Sequence, residues 1–231
     1  MSGRCSRRRL AVAFALLCSY SAGVQAQTPA PKSSDRFEAA VGVVWLGSGD
    51  AGATNATESV SSGTRFTLFS TNTQIDSSLG VEARVGFHVT PMWEVDAVTS
   101  YTTPELSTKI SGDTESGTPE TAAVGVTQFT IGGSVVAHLK RFQFGSDGVP
   151  FIEAGVAYVR QLYDSRSVVV SGQMFDVGGG VKYVFSKRPG RRVSALGVRG
   201  DIRAVARRRG VAPDGGTHFS PAAGASLFLS F

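Results

Sequence analysis

The chain has 231 residues, with 23 Lys+Arg against 18 Asp+Glu and a formal net charge of +5. Four of the arginines (Arg4, Arg7, Arg8 and Arg9) and both cysteines (Cys5 and Cys18) fall in the first 26 positions, so residues 27–231 carry 19 basic against 18 acidic side chains and no cysteine. This balance excludes a small disulfide-stapled domain, and the high overall charge gives no ground for a nucleic-acid partner.

In chain order, the first element is a basic stretch (1–9), an apolar run LAVAFALL (10–17) and a small-residue tract ending in Val24-Gln25-Ala26. That is the pattern of a secretory signal peptide spanning 1–26, with cleavage between Ala26 and Gln27. An apolar run of roughly 8–12 residues is too short for a membrane helix, which needs about 20. Cys18 follows Leu16-Leu17, not the small residues of a lipoprotein anchor. Residues 27–35 form a short polar leader, and the domain runs from 36 to 231.

From there period-two alternation dominates, and 3.6-residue periodicity never persists. Eight strands are predicted, at 36–46, 79–89, 92–102, 125–139, 150–162, 173–185, 192–206 and 217–231. Their connections alternate in length: 47–78 and 103–124 are long and polar, while Thr90-Pro91 is a tight turn. The stretch 65–69 (RFTLF) would add a strand only if it found a partner. Long loops at one end and short turns at the other are the arrangement of a membrane β-barrel. The expected fold is therefore all-β, an up-and-down antiparallel transmembrane barrel of eight strands.

Alternation alone also suits a soluble lipocalin-like barrel. The character of the faces separates the two. Leu79, Val81, Ala83, Val85, Phe87 and Val89 share one face, opposite Gly80, Glu82, Arg84, Gly86 and His88. The charged faces are rich in Gly, Ala and Ser, which suits a crowded interior better than a water-facing exterior. Aromatic residues recur at even gaps: Phe37 and Trp45, Trp93 and Tyr101, Phe175 and Tyr183, Phe219 and Phe231. With strands tilted near 45°, such gaps span roughly 19–28 Å, close to the separation of the two aromatic girdles of a membrane barrel.

The terminal stretch GASLFLSF ends on Phe231, with Leu229 and Leu227 on the same face. It resembles the C-terminal strand that the outer-membrane assembly machinery reads. The chain from 36 to 231 is similar to the small eight-stranded bacterial outer-membrane barrels, the class of the OmpA barrel domain and OmpX. The likeness is architectural: Ser226 stands where that pattern usually has Gly. It implies an outer-membrane location, lipid contacts that include lipopolysaccharide, and a terminal strand paired with the first.

An eight-stranded barrel is narrow enough for side chains to fill. The expected lumen set is Glu38, Glu82, Arg84, Glu94, Asp96, Glu153, Asp176, Lys182, Arg199, Asp201 and Arg203, with His88 and His138 beside them. Seven carboxylates thus face four bases, and buried charges of this kind must pair or hold water. The histidines read as network members, because neither has a second His or Cys at ligand spacing, so no metal and no cofactor are expected. His218-Phe219-Ser220 is similar to the His-x-Ser of outer-membrane lipid A deacylases, yet no acid follows Ser220 and Pro221 replaces the expected Asn. Arg207, Arg208 and Arg209 read as loop charges near lipopolysaccharide phosphates. The functional expectation is a non-enzymatic structural or surface-interaction barrel, whose regions 47–78 and 103–124 face a possible extracellular partner. A narrow solute channel is the alternative, and a lipid A-modifying hydrolase comes third.

Overall fold

The computed structural model describes residues 36–231 except 60–64, 112–119, 146, 164–167, 189–191 and 211–215. The signal segment, its cleavage point at Ala26 and Gln27, and the polar leader lie outside the described residues.

The alternating sequence folds into eleven strands: β1 (Phe37–Leu46), β2 (Gly49–Ser59), β3 (Arg65–Ile75), β4 (Ser78–His88), β5 (Trp93–Thr102), β6 (Glu105–Ser111), β7 (Glu120–His138), β8 (Gly148–Tyr163), β9 (Val169–Lys187), β10 (Ala195–Arg209) and β11 (Thr217–Ser230). Eight of them close into an antiparallel barrel in the order β1-β4-β5-β7-β8-β9-β10-β11, and β11 pairs back onto β1 from Glu38↔Ser230 to Leu46↔Ala222. The Phe231 N–H donates to the Phe37 carbonyl at 2.8 Å. Closure leaves the barrel wall no free edge to template aggregation.

The expected eight-stranded wall is present, but the two long polar connections are not irregular loops. Residues 65–69 lie in β3, which pairs with β2 on one side and β6 on the other. β6 then pairs with Glu120–Gly125 of β7, the same strand that enters the barrel wall from Val126 onward. These strands form a sheet continuing one side of the barrel, with β2 at its edge. Ala51, Ile75, Leu106 and Val126 make its small apolar core. The Ser/Thr/Asn-rich sequence concealed it, because only every second residue of a few is apolar. The chain kinks into this extension at Gly52, whose φ of 102° suits glycine and whose N–H is held by Asp50 Oδ1 at 2.9 Å.

At the opposite, turn end, Thr90 Oγ1 accepts from the N–H groups of Met92 and Trp93 at 3.2 and 3.0 Å, tying the predicted turn between β4 and β5. β10 continues through Arg209, so Arg207, expected as a loop charge, is instead a strand residue buried inside the barrel, while Arg208 and Arg209 are exposed.

The barrel is apolar outside and charged inside. Leu79, Val81, Val85, Ile131, Val177, Ile202 and Leu227 all point outward and are more than half exposed, Leu79 and Ile202 by 70% and 71%. No helix among the described residues is long and apolar enough to cross a membrane, but a closed barrel crosses with strands, and about 9–11 residues per strand suffice. Every wall strand has at least ten.

Candidate functional site

Strand parity places the predicted charges in one lumen, where they form two connected groups. Nearest the turn end, Lys182 Nζ donates to Glu38 Oε1 at 2.6 Å and to Glu94 Oε2 and Oε1 at 2.8 and 3.0 Å. His138 Nε2 lies 2.7 Å from Glu94 Oε2, and His88 stands 3.8 Å from both Glu38 and Glu94. Phe228 closes this group from β11, its ring centroid 5.5 Å from the Lys182 ammonium.

The second group is built on three arginines. Arg84 donates to Glu82 Oε1 at 2.7 Å and to Glu153 Oε2 at 2.9 Å. Arg199 donates to that same Glu153 oxygen at 2.6 Å and to Asp96 Oδ2 at 3.1 Å. Arg203 donates to Glu82 Oε2 at 3.0 Å and pairs with Asp201 Oδ2 at 2.8 Å. Ion pairs taken out of water survive only with such close, multiple partners. Arg199 also covers the face of Phe151, 4.4 Å from the ring centroid. Asp176 is half-buried against Gly155, where an added Cβ would meet its carboxylate. At Gly86 a Cβ would meet the Glu94 and Asp96 carboxylates. Lumen glycines are therefore the space into which the charges fit.

Toward the extension the lumen changes character. Val44, Leu46, Val159, Met174, Val205 and Ala222 pack into an apolar half-layer on the adjacent strands β1 and β8–β11, faced by buried Ser78, Thr102 and Gln128 of β4, β5 and β7. Close to this layer, Gln161 Nε2 donates to Gln128 Oε1 at 2.9 Å. The space left among Glu82, Arg84, Thr130, Asp176 and Arg203 is about 20 Å³, room for one water.

No protein-family model matches the sequence, and no curated protein matches it either. Solved structures do. The outer membrane protein OprG from Pseudomonas aeruginosa is 11% identical, covers 86% of this chain and 96% of its own, and has a TM-score of 0.49. Ail, the attachment invasion locus protein of Yersinia pestis, is 10% identical over 84% of this chain and 99% of its own, with a TM-score of 0.36. The outer membrane protease OmpT from Escherichia coli is 7% identical over 86% and 98%, again with a TM-score of 0.36. At these identities the likeness is one of fold alone.

Of the predicted aromatic positions, Phe37, Trp45, Trp93, Tyr101, Phe175, Tyr183, Phe219 and Phe231 all point outward and are exposed. Phe37 packs tilted against Phe87 with ring centroids 5.1 Å apart near the turn end, and Tyr101 likewise against Phe129 at 5.0 Å toward the extension. Leu227 and Leu229 face outward with Phe231. His218 and Ser220 line a small cavity with Asp50, Arg207 and Arg209, but Ser220 Oγ is buried without a hydrogen-bond partner, so His218 does not hold it as a general base would.

Sequence reasoning passed over five lumen residues: Phe151, Phe228, Gln128, Gln161 and Arg207. All are buried. A charge-based reading skips an apolar residue on a polar face, although Phe151 shares parity with Glu153, and Phe228 with Ser226 and Ser230. Spacing also kept His88 and His138 apart, since β4 and β7 bring them to 5.5 Å between ring centroids only across the barrel wall.

Proposed function

We propose that the protein is a non-enzymatic barrel of the bacterial outer membrane that displays the β2–β3–β6–β7 sheet at the cell surface, with its short turns in the periplasm. The observation carrying this reading is the inverted distribution of polarity: charges are paired inside, while the exterior is a continuous apolar wall flanked by outward aromatics. In water such an exterior would aggregate; in lipid it is the favourable face. The outward aromatics serve as interfacial girdles and the exterior contacts lipid, lipopolysaccharide included, with Arg208 and Arg209 near its phosphates. The β11 face of Leu227, Leu229 and Phe231 is what the assembly machinery reads.

The closed-barrel role follows from the stacking of the lumen. Two ion-paired groups are followed by a level filled by apolar side chains from β1 and β8–β11 and by the Gln128–Gln161 pair opposite, and a lumen packed in this way leaves ions no wide wet path. A surface-interaction role then falls to the extension.

Planar-bilayer recording of the purified barrel tests the reading. No resolved conductance steps are expected from the wild type, whereas Leu46→Ser/Met174→Ser/Val205→Ser, which wets the apolar layer, opens a small cation-preferring conductance. Regular conductance from the wild type would make a narrow channel the function instead.

A further inference from the structure

We propose that His88, Glu94 and His138 form a binding site for a borderline divalent metal ion such as Zn²⁺ at the turn end of the lumen. One ligand atom from each lies within 4.8 Å of the others. The three come from β4, β5 and β7, which are neighbours in the wall, with His88 directly opposite Glu94 and Trp93 opposite Ala137, the residue before His138. A hydrogen-bonded sheet therefore holds the three donors, a firmer platform than a loop.

The geometry is near that of a tetrahedral site. Ligand bonds of about 2.0–2.2 Å place two donor atoms roughly 3.3–3.5 Å apart. His88 Nδ1 is 3.8 Å from Glu94 Oε2, and His138 Nε2 is 2.7 Å from it, so one gap closes by about 0.3–0.5 Å and the other opens by about 0.6–0.8 Å. Metal binding requires His138 to carry its proton on Nδ1, leaving Nε2 free to coordinate. The other His88 nitrogen, Nε2, stands 3.8 Å from Glu38 Oε2, beyond hydrogen-bond distance but within reach of a small side-chain shift that would let the carboxylate orient the imidazole from behind. The His88 side chain is 24% exposed and those of Glu94 and His138 only 1% and 7%. The ion enters past His88, and water takes the fourth position.

Charge favours a cation as well. The lumen holds seven carboxylates against Arg84, Lys182, Arg199 and Arg203, and counting Arg207 at the far end still leaves the carboxylates two in excess. Lys182 is the resident counter-cation, shared between Glu38 and Glu94. A dication on Glu94 displaces it toward Glu38, so lysine and metal compete for one carboxylate.

The experiment is calorimetric titration of the untagged barrel in detergent micelles with ZnCl₂, paired with the visible absorption of a Co²⁺-loaded sample. One ion per chain is expected, with four-coordinate Co²⁺ bands that Zn²⁺ bleaches. His88→Ala and His138→Ala are expected to weaken binding at least tenfold, and Lys182→Met to tighten it. Heat-dependent gel mobility verifies that each variant is a folded barrel, and His88→Ala, at the exposed rim, is the variant least able to disturb folding. Absence of one-to-one binding by the folded wild type overturns the site. So does an affinity unchanged in the folded His88→Ala barrel, which would put the ion on the carboxylates alone.

Discussion

Glu153 is the residue on which the arginine group converges, since its Oε2 accepts from both Arg84 and Arg199 and its side chain is fully shielded from solvent. Its neutralisation leaves the Arg84 and Arg199 guanidinium groups without their shared counter-charge in a part of the lumen shielded from solvent. Breaking a buried pair in this way costs about 3–5 kcal/mol. Glu153→Gln, nearly isosteric, is expected to lower the urea midpoint of unfolding in micelles by a corresponding amount, followed through Trp45 and Trp93 fluorescence. A change within about 0.5 kcal/mol, the range of an ordinary surface substitution, would show that water rather than Glu153 solvates the arginines. Gly86→Ala is a steric counterpart: its methyl group meets the Glu94 and Asp96 carboxylates, and a loss of about 1–3 kcal/mol is expected in the same titration.

Among the elements, the extension is separable from the wall. β1 pairs directly with β4 up to Leu46↔Ser78, so a short turn can join them without β2 and β3. Replacing residues 49–75 by such a turn is expected to leave a heat-shifted, closed barrel, because every wall pairing survives. The small core of Ala51, Ile75, Leu106 and Val126 is lost, and β6 is expected to become protease-sensitive once β3 no longer covers its edge. If the deleted protein fails to shift on heating, β2 and β3 belong to the folding unit of the barrel itself. β11 behaves differently, as it pairs on both sides and carries the seam with β1. Changing it removes closure, not decoration.

For the whole molecule the question is orientation. The segment from 27 to 231 contains no cysteine, so a single introduced one reports its own side of the membrane. Thr57→Cys, exposed on the edge strand β2, is expected to react with a membrane-impermeant maleimide on intact cells. Phe142→Cys, exposed in the connection between β7 and β8, is expected to react only after the outer membrane is opened. The reverse pattern would place the extension in the periplasm and remove the surface role.

The strand pattern, the inward and outward faces and the barrel class were legible because parity is a local property: two neighbours in sequence point to opposite sides whatever the partner strand is. Hence Glu38, Glu82, Arg84 and the other charges could be assigned to one face before any pairing was known. Which charge meets which could not, since Lys182 reaches Glu38 across 144 positions and Arg203 reaches Glu82 across 121. The extension was hidden for a related reason: its polar strands are stabilised mainly by pairing with one another, which composition does not display. The meeting of His88, Glu94 and His138 was decided only by the pairing of β4, β5 and β7, because strand register, and not sequence spacing, sets distances around a barrel.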